Sequence, residues 1–145
     1  MTPTHDKTWV LVAESSRARL FARSGNQLEE VEDFTHPAAR ARNRDLDSDK
    51  PGRSFGAGAV RHAMEPQHAS HRSEAEAFAR ELVERLETGR GKGDFTHVVL
   101  IAPPEFLGLL RHAMHGELSR LVVQSVDKNL VHAQPADILD HLGLH

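Results

Sequence analysis

The stretch His97 to Met114, HVVLIAPPEFLGLLRHAM, constrains the fold of this chain more than any other. Val98 to Ala102 is a short, unbroken apolar run, too short to cross a bilayer and suited to a strand buried on both faces. Pro103 and Pro104 stop that strand, because neither can donate a hydrogen bond to a ladder. Pro104 fits the first turn of a helix, where a missing N–H costs nothing. Leu107, Leu110, Met114, Leu118 and Leu121 follow at three- and four-residue spacing, the apolar stripe of one amphipathic helix. The sequence therefore spells a central strand, a sharp turn and a helix returning over the sheet. In α/β folds such a turn often carries a ligand site; equally, two prolines can serve only to shape the connection.

The remaining chain supplies partners for that strand. Trp9 to Ala13 reads as a second buried strand, followed by the turn Glu14-Ser15-Ser16. Arg17 to Arg23 alternates, with Ala18, Leu20 and Ala22 on one face and Arg17, Arg19 and Arg23 on the other, which predicts a half-exposed strand. Ser24-Gly25-Asn26 is a hairpin turn, and Gln27 to Phe34 is a further strand whose Leu28, Val31 and Phe34 do not share a face. These three N-terminal strands form an antiparallel meander. Ser73-Glu74-Ala75-Glu76 reads as a capping box opening a helix with the apolar face Ala75, Phe78, Ala79, Leu82, Val83 and Leu86, ended by Gly89. An earlier start at Val60 to Met64 is disturbed by Pro66. Gly89 to Gly93 is read as a flexible connector, Leu121 to Val126 as the last strand and Ala136 to Leu142 as a short terminal helix.

Between the meander and the first helix, from His36 to about Ala59, hydrophobic periodicity disappears in a loop of about twenty residues. Charge gathers around it. From Thr35 to Arg72, Arg40, Arg42, Arg44, Lys50, Arg53, Arg61 and Arg72 face Asp45, Asp47, Asp49 and Glu65, a net of +3 that leaves −6 on the rest of a chain whose total is −3. A basic segment on an acidic body can be a local footprint for phosphate, or simply an ordinary solvated loop of mixed charge. Within Ser48 to Gly58, glycines such as Gly52 let backbone approach a ligand, Lys50 and Arg53 supply phosphate contacts, and Phe55 can stack on a base. The same residues Asp49-Lys50-Pro51-Gly52 also make an ordinary turn.

Other chemistries find less support. At 145 residues, 39% hydrophobic and 27% charged, the chain has the composition of one folded domain. It has no cysteine, which excludes disulfides, thiolate nucleophiles and cysteine-bound zinc. The apolar run near the N-terminus is too short for a secretory signal, and no run approaches a membrane span, so a cytoplasmic protein with no membrane partner is expected. Eleven histidines raise the question of a metal, but His62, His68 and His71 are interrupted by Pro66, and His112 and His115 have no carboxylate at a persuasive spacing. No metal site or cofactor is expected. Glu14 and Glu105 alone stand at the ends of the buried strands, too few acids to hold the magnesium ions of a nuclease. No G-x-S-x-G elbow is present.

WVLVAESSRARLF, SDKPGRSF, FARELVERL and HVVLIAPPEFLGLLR, in this order over nearly the whole chain, resemble the bacterial family of proteins required for attachment to host cells. That family name describes a phenotype. The element order is also similar to the central domain of archaeal and eukaryotic class-1 release factors and of Pelota, an RNase H-like α/β sandwich. In the release factors a basic, glycine-rich loop after the third strand enters the peptidyl-transferase centre of the ribosome; GRSFGAGAVRHAMEPQHASHR occupies the corresponding place here. Where they carry glycine-glycine-glutamine, this chain has Gly52-Arg53-Ser54-Phe55-Gly56, with Gln67 well beyond. The resemblance thus implies the scaffold without peptidyl-tRNA hydrolysis.

These readings combine into a single RNase H-like domain over residues 1–145, a mixed five-stranded sheet in the order β-β-β-α-β-α-β-α with a long Gly/Arg-rich loop after the third strand. The leading expectation is a cytosolic module binding the ribosome or a structured RNA such as tRNA through Lys50, Gly52, Arg53, Phe55 and Arg61, with an indirect role in attachment or stress. One alternative is a regulatory protein-interaction module working through an exposed apolar patch. The other is a small hydrolase at the Pro103–Leu107 turn and the loop, with Asp49, Glu105 or a histidine as acid or base.

Overall fold

A computed structural model describes residues 7–36 and 57–142, with the helix backbone alone over 57–71. Strands β1 (Thr8–Ala13), β2 (Arg17–Ser24) and β3 (Gln27–Thr35) are followed by helix α1 (Ala57–Lys92), strand β4 (His97–Ile101), helices α2 (Pro104–Ala113) and α3 (Gly116–Arg120), strand β5 (Val122–Val126) and helix α4 (Pro135–Asp140). The sheet order is β3-β2-β1-β4-β5. β1 runs antiparallel to β2 and β2 to β3, whereas β1–β4 and β4–β5 are parallel. This is the mixed five-stranded α/β arrangement expected, with the two most apolar strands at its centre.

Both faces of β1 and β4 are covered, which is why neither strand alternates in polarity. Trp9, Leu11, Val98 and Leu100 pack with Phe78, Leu82 and Leu86 of α1 and with Phe106 and Leu110 of α2. On the opposite face Val10, Val12, Val99 and Ile101 pack with Val131, Ile138 and Leu142 from the C-terminal segment. That segment also corrects the half-exposed reading of β2. Phe21 is wholly buried, and the Arg19 guanidinium lies over its ring at 4.9 Å. Arg19 Nη1 donates to the carbonyls of Val131 and Ala133 at 3.0 and 2.9 Å, clamping the segment onto the sheet. Arg19→Ala leaves both acceptors without their donor, with an expected loss of about 1–3 kcal/mol in urea unfolding and faster amide exchange over 130–142.

Each edge strand carries one extra residue. On β3 the register passes from Leu20↔Glu32 to Phe21↔Glu30, skipping Val31. On β5 it passes from Val98↔Val122 to Val99↔Gln124, skipping Val123. A bulge reverses which face later residues occupy. Leu28 therefore packs on the C-terminal-segment face and Phe34 on the α1 face, while Val31 and Val123 are the exposed large hydrophobics among the described residues. This explains why the three apolar residues of β3 do not share a face.

The helices depart from expectation at three points. α1 is continuous through Pro66 and Ser73, so the capping box is not used: the preceding turn gives Ser73 helical neighbours, and Glu76 pairs with Arg72 at 3.1 Å. Gly89 does not end the helix. The end comes at Lys92, where Gly93 (φ +74°) takes the left-handed conformation, Gly93 N–H donates to Arg90 O and Asp94 N–H to Gly89 O, a Schellman closure. Finally, the stripe from Leu107 to Leu121 is broken, because Met114 and His115 are extended and Gly116 has φ +57°. Leu110, Met114 and Leu118 are nonetheless buried, as the spacing implied. α4 starts at Pro135, one residue before the predicted helix, and buries Ile138.

Candidate nucleic-acid interface

Three parallel strands end at one edge of the sheet. Val12 pairs with Ile101 and Ile101 with Val126, so the carboxyl ends of β1, β4 and β5 lie side by side, where open α/β sheets usually place ligands. β3 ends there too, since Arg17 pairs with Thr35. The turn after β1 is closed by Glu14 N–H to Arg17 O at 2.8 Å, and Ser16 Oγ donates to Glu14 Oε2 at 3.3 Å. Pro103 caps α2 on its own backbone geometry, Pro104 enters its first turn, and Glu105 stands exposed beside it.

His36, the last described residue before the basic segment, is fixed at this edge. Its N–H donates to Ser16 O at 3.0 Å, Nε2 donates to Glu74 Oε1 at 2.8 Å, and Nδ1 lies 3.8 Å from Glu81 Oε1. The ring stacks on Phe78 at 5.2 Å, and Phe78 in turn meets Phe106 at 5.9 Å. Glu74, Phe78 and Glu81 share one side of α1 by helical spacing, so the end of β3 is held to α1 through one imidazole. Arg85 makes a second tie, to Glu32 Oε1 at 2.7 Å, with its guanidinium over Trp9. The end of β3 is thus tied to α1 through both His36 and Arg85.

Of the residues singled out in the sequence, Asp49, Lys50, Gly52, Arg53 and Phe55 lie outside the described residues, as do the side chains of Arg61, His62, His68 and His71. Arg61 itself falls within α1. Glu105 makes no hydrogen bond or ion pair among the described residues. Among them, too, no three His, Asp or Glu side chains gather as a metal site would require. No described helix is long and apolar enough to cross a membrane. The apolar patch that a protein-interaction module would need is not formed by Val31 and Val123, which sit on opposite edges of the sheet.

Most described cations are already committed. Arg17 is bidentate to Asp33 at 3.0 and 3.4 Å, a hydrogen-bonded pairing that raises its pKa above the usual arginine range. Arg72, Arg85, Arg90 and Arg120 pair with Glu76, Glu32, Glu87 and Glu117. The latch at His36 was missed in the sequence: the spacing of Glu74, Phe78 and Glu81 was visible, but the group they receive comes from 38 residues away.

The sequence matches the family model of proteins required for attachment to host cells over residues 9–142. The chain belongs to this family. No curated protein matches it. Among solved structures, this host-attachment chain is similar to Archaeoglobus fulgidus Pelota, with a TM-score of 0.52 at 15% identity over 94% of the chain. It is also similar to an archaeal translation termination factor, with a TM-score of 0.47 at 12% identity over 94%. The chain spans 31% and 38% of those two proteins' lengths. The Pelota likeness shows the α/β fold.

Proposed function

We propose that this host-attachment chain is an RNA- or ribosome-binding module in which Lys50, Arg53 and Arg61 contact phosphate, the backbone at Gly52 allows close approach, and Phe55 stacks on a base. The observation that carries the reading is the origin of the basic segment: it leaves the sheet directly after His36, at the shared carboxyl edge of three strands, on a fold similar to Pelota. The described body favours this division of labour. Its arginines are mostly paired with its own acids, whereas the stretch from Thr35 to Arg72 carries a net charge of +3 in the sequence. Binding without peptidyl-tRNA hydrolysis accords with Gly52-Arg53-Ser54-Phe55-Gly56 standing where the release factors carry glycine-glycine-glutamine. A cytoplasmic role would connect such a module to attachment indirectly.

Co-sedimentation with ribosomes and titration of tRNA test the reading. Lys50→Ala/Arg53→Ala is expected to weaken both, and to flatten the dependence of log affinity on log salt by about 1.4 for single-stranded contacts, two phosphates at about 0.7 each. Equal binding and an equal salt slope in wild type and variant would refute this assignment.

A further inference from the structure

We propose that the cleft between α1 and the end of α2 seats one nucleotide of a bound single-stranded RNA, its phosphate on Arg80, His112 and His115. The proposal rests on the RNA-binding reading above and adds a contact surface to it. The cleft has a volume of about 400 Å³ and is lined by Glu76, Arg80, Leu109, His112, Ala113 and His115. Leu109 and Ala113 are half-buried and give it an apolar wall, whereas Arg80 and both histidines are exposed at its mouth.

Arg80 is what distinguishes this cleft. Among the arginines with described side chains, every other one is hydrogen-bonded or paired: Arg23 to Gly25 O, Arg111 to Ser125 Oγ, Arg19 to two carbonyls and the rest to acids. Arg80 has no such partner among the described residues. Neither His112 nor His115 makes a hydrogen bond among them, so each imidazole has an N–H to offer. The one acid in the cleft, Glu76, is paired with Arg72 at 3.1 Å. His115 lines the cleft from just beyond the end of α2, where its backbone is extended.

A forked guanidinium with two imidazole donors suits phosphate oxygens, and an apolar wall beside them suits a base or sugar. α1 carries both Arg61 of the basic segment and Arg80 of the cleft.

Fluorescence anisotropy with a short labelled oligouridylate tests the proposal. Arg80→Ala is expected to weaken binding roughly tenfold, the loss of a charged hydrogen-bonding partner, and to flatten the salt slope by about 0.7. His112→Ala/His115→Ala is expected to weaken it as well, and oligouridylate should shift the imidazole NMR signals of both histidines in the wild type. Arg120→Ala, which removes a cation paired with Glu117 outside the cleft, should leave affinity unchanged. Binding by Arg80→Ala equal to wild type, or an equal loss in Arg120→Ala, overturns the cleft and leaves the basic-segment reading standing. Failure of the wild type to bind both oligouridylate and tRNA overturns both.

Discussion

Phe78→Ala should lower the unfolding free energy by about 3–5 kcal/mol, the range for removing a large buried ring. Phe78 is wholly buried on α1 at the point where three elements meet. It touches Phe106 of α2 at 5.9 Å and the His36 ring at 5.2 Å. Truncation therefore loses the transfer energy of the ring and leaves a cavity that two rigid aromatic neighbours cannot collapse into. The effect should reach the site as well, since the stacked imidazole that holds the end of β3 loses its platform. Urea unfolding with an unchanged m-value measures the stability loss. Phe78→Leu, which keeps much of the volume, should cost clearly less. A loss below about 1 kcal/mol for Phe78→Ala would contradict its central place, since that lies outside the range for buried aromatic deletions.

Gly89→Ala should destabilise the protein by about 1–3 kcal/mol, against the ordinary preference of a helix for alanine. In an open helix interior the change would stabilise by up to about 1 kcal/mol. A Cβ at Gly89, however, would lie 2.7 and 2.8 Å from two ring atoms of Trp9 and 3.2 Å from Phe95. The Trp9 ring has nowhere to go: it is 5% exposed, stands 4.8 Å from Phe95 and lies beneath the Arg85 guanidinium. Either α1 lifts from β1 or the tryptophan leaves its place. Gly91 is the internal control. Two residues along the same helix, it has nothing within 4 Å of a built Cβ and is exposed, so Gly91→Ala should stabilise by up to about 1 kcal/mol. Thermal melts of the two variants should move in opposite directions; a matching shift would exclude the close packing of Gly89 on Trp9.

The contrast between these glycines shows where sequence reading stopped. Gly89, Gly91 and Gly93 look alike in the sequence and read as one loose connector. In the fold the first is a packing surface, the second lies on an exposed helix face, and the third provides the positive φ that ends the helix. Composition cannot separate them, because the difference lies in Trp9, eighty residues earlier. The capping box fails for a related reason. Four residues are enough to satisfy free helix N–H groups locally, but not to forbid the helix from starting sixteen residues sooner.

The sequence by itself determined the strands β1 and β4, the proline-shaped turn after β4, the buried series Leu110, Met114 and Leu118, and the element order apart from the break that divides α2 from α3. Continuous or periodic apolar residues can satisfy the hydrophobic effect in few ways, and those ways are local. Only the tertiary structure decided which polar groups are spent and which are available. Arg19 is consumed by carbonyls more than a hundred residues away, Arg85 by an acid 53 residues away, and His36 by Glu74 across 38. Arg80 meets none. A charge becomes structural or free for a ligand according to what the fold brings within about 4 Å of it, and no spacing along the chain records that.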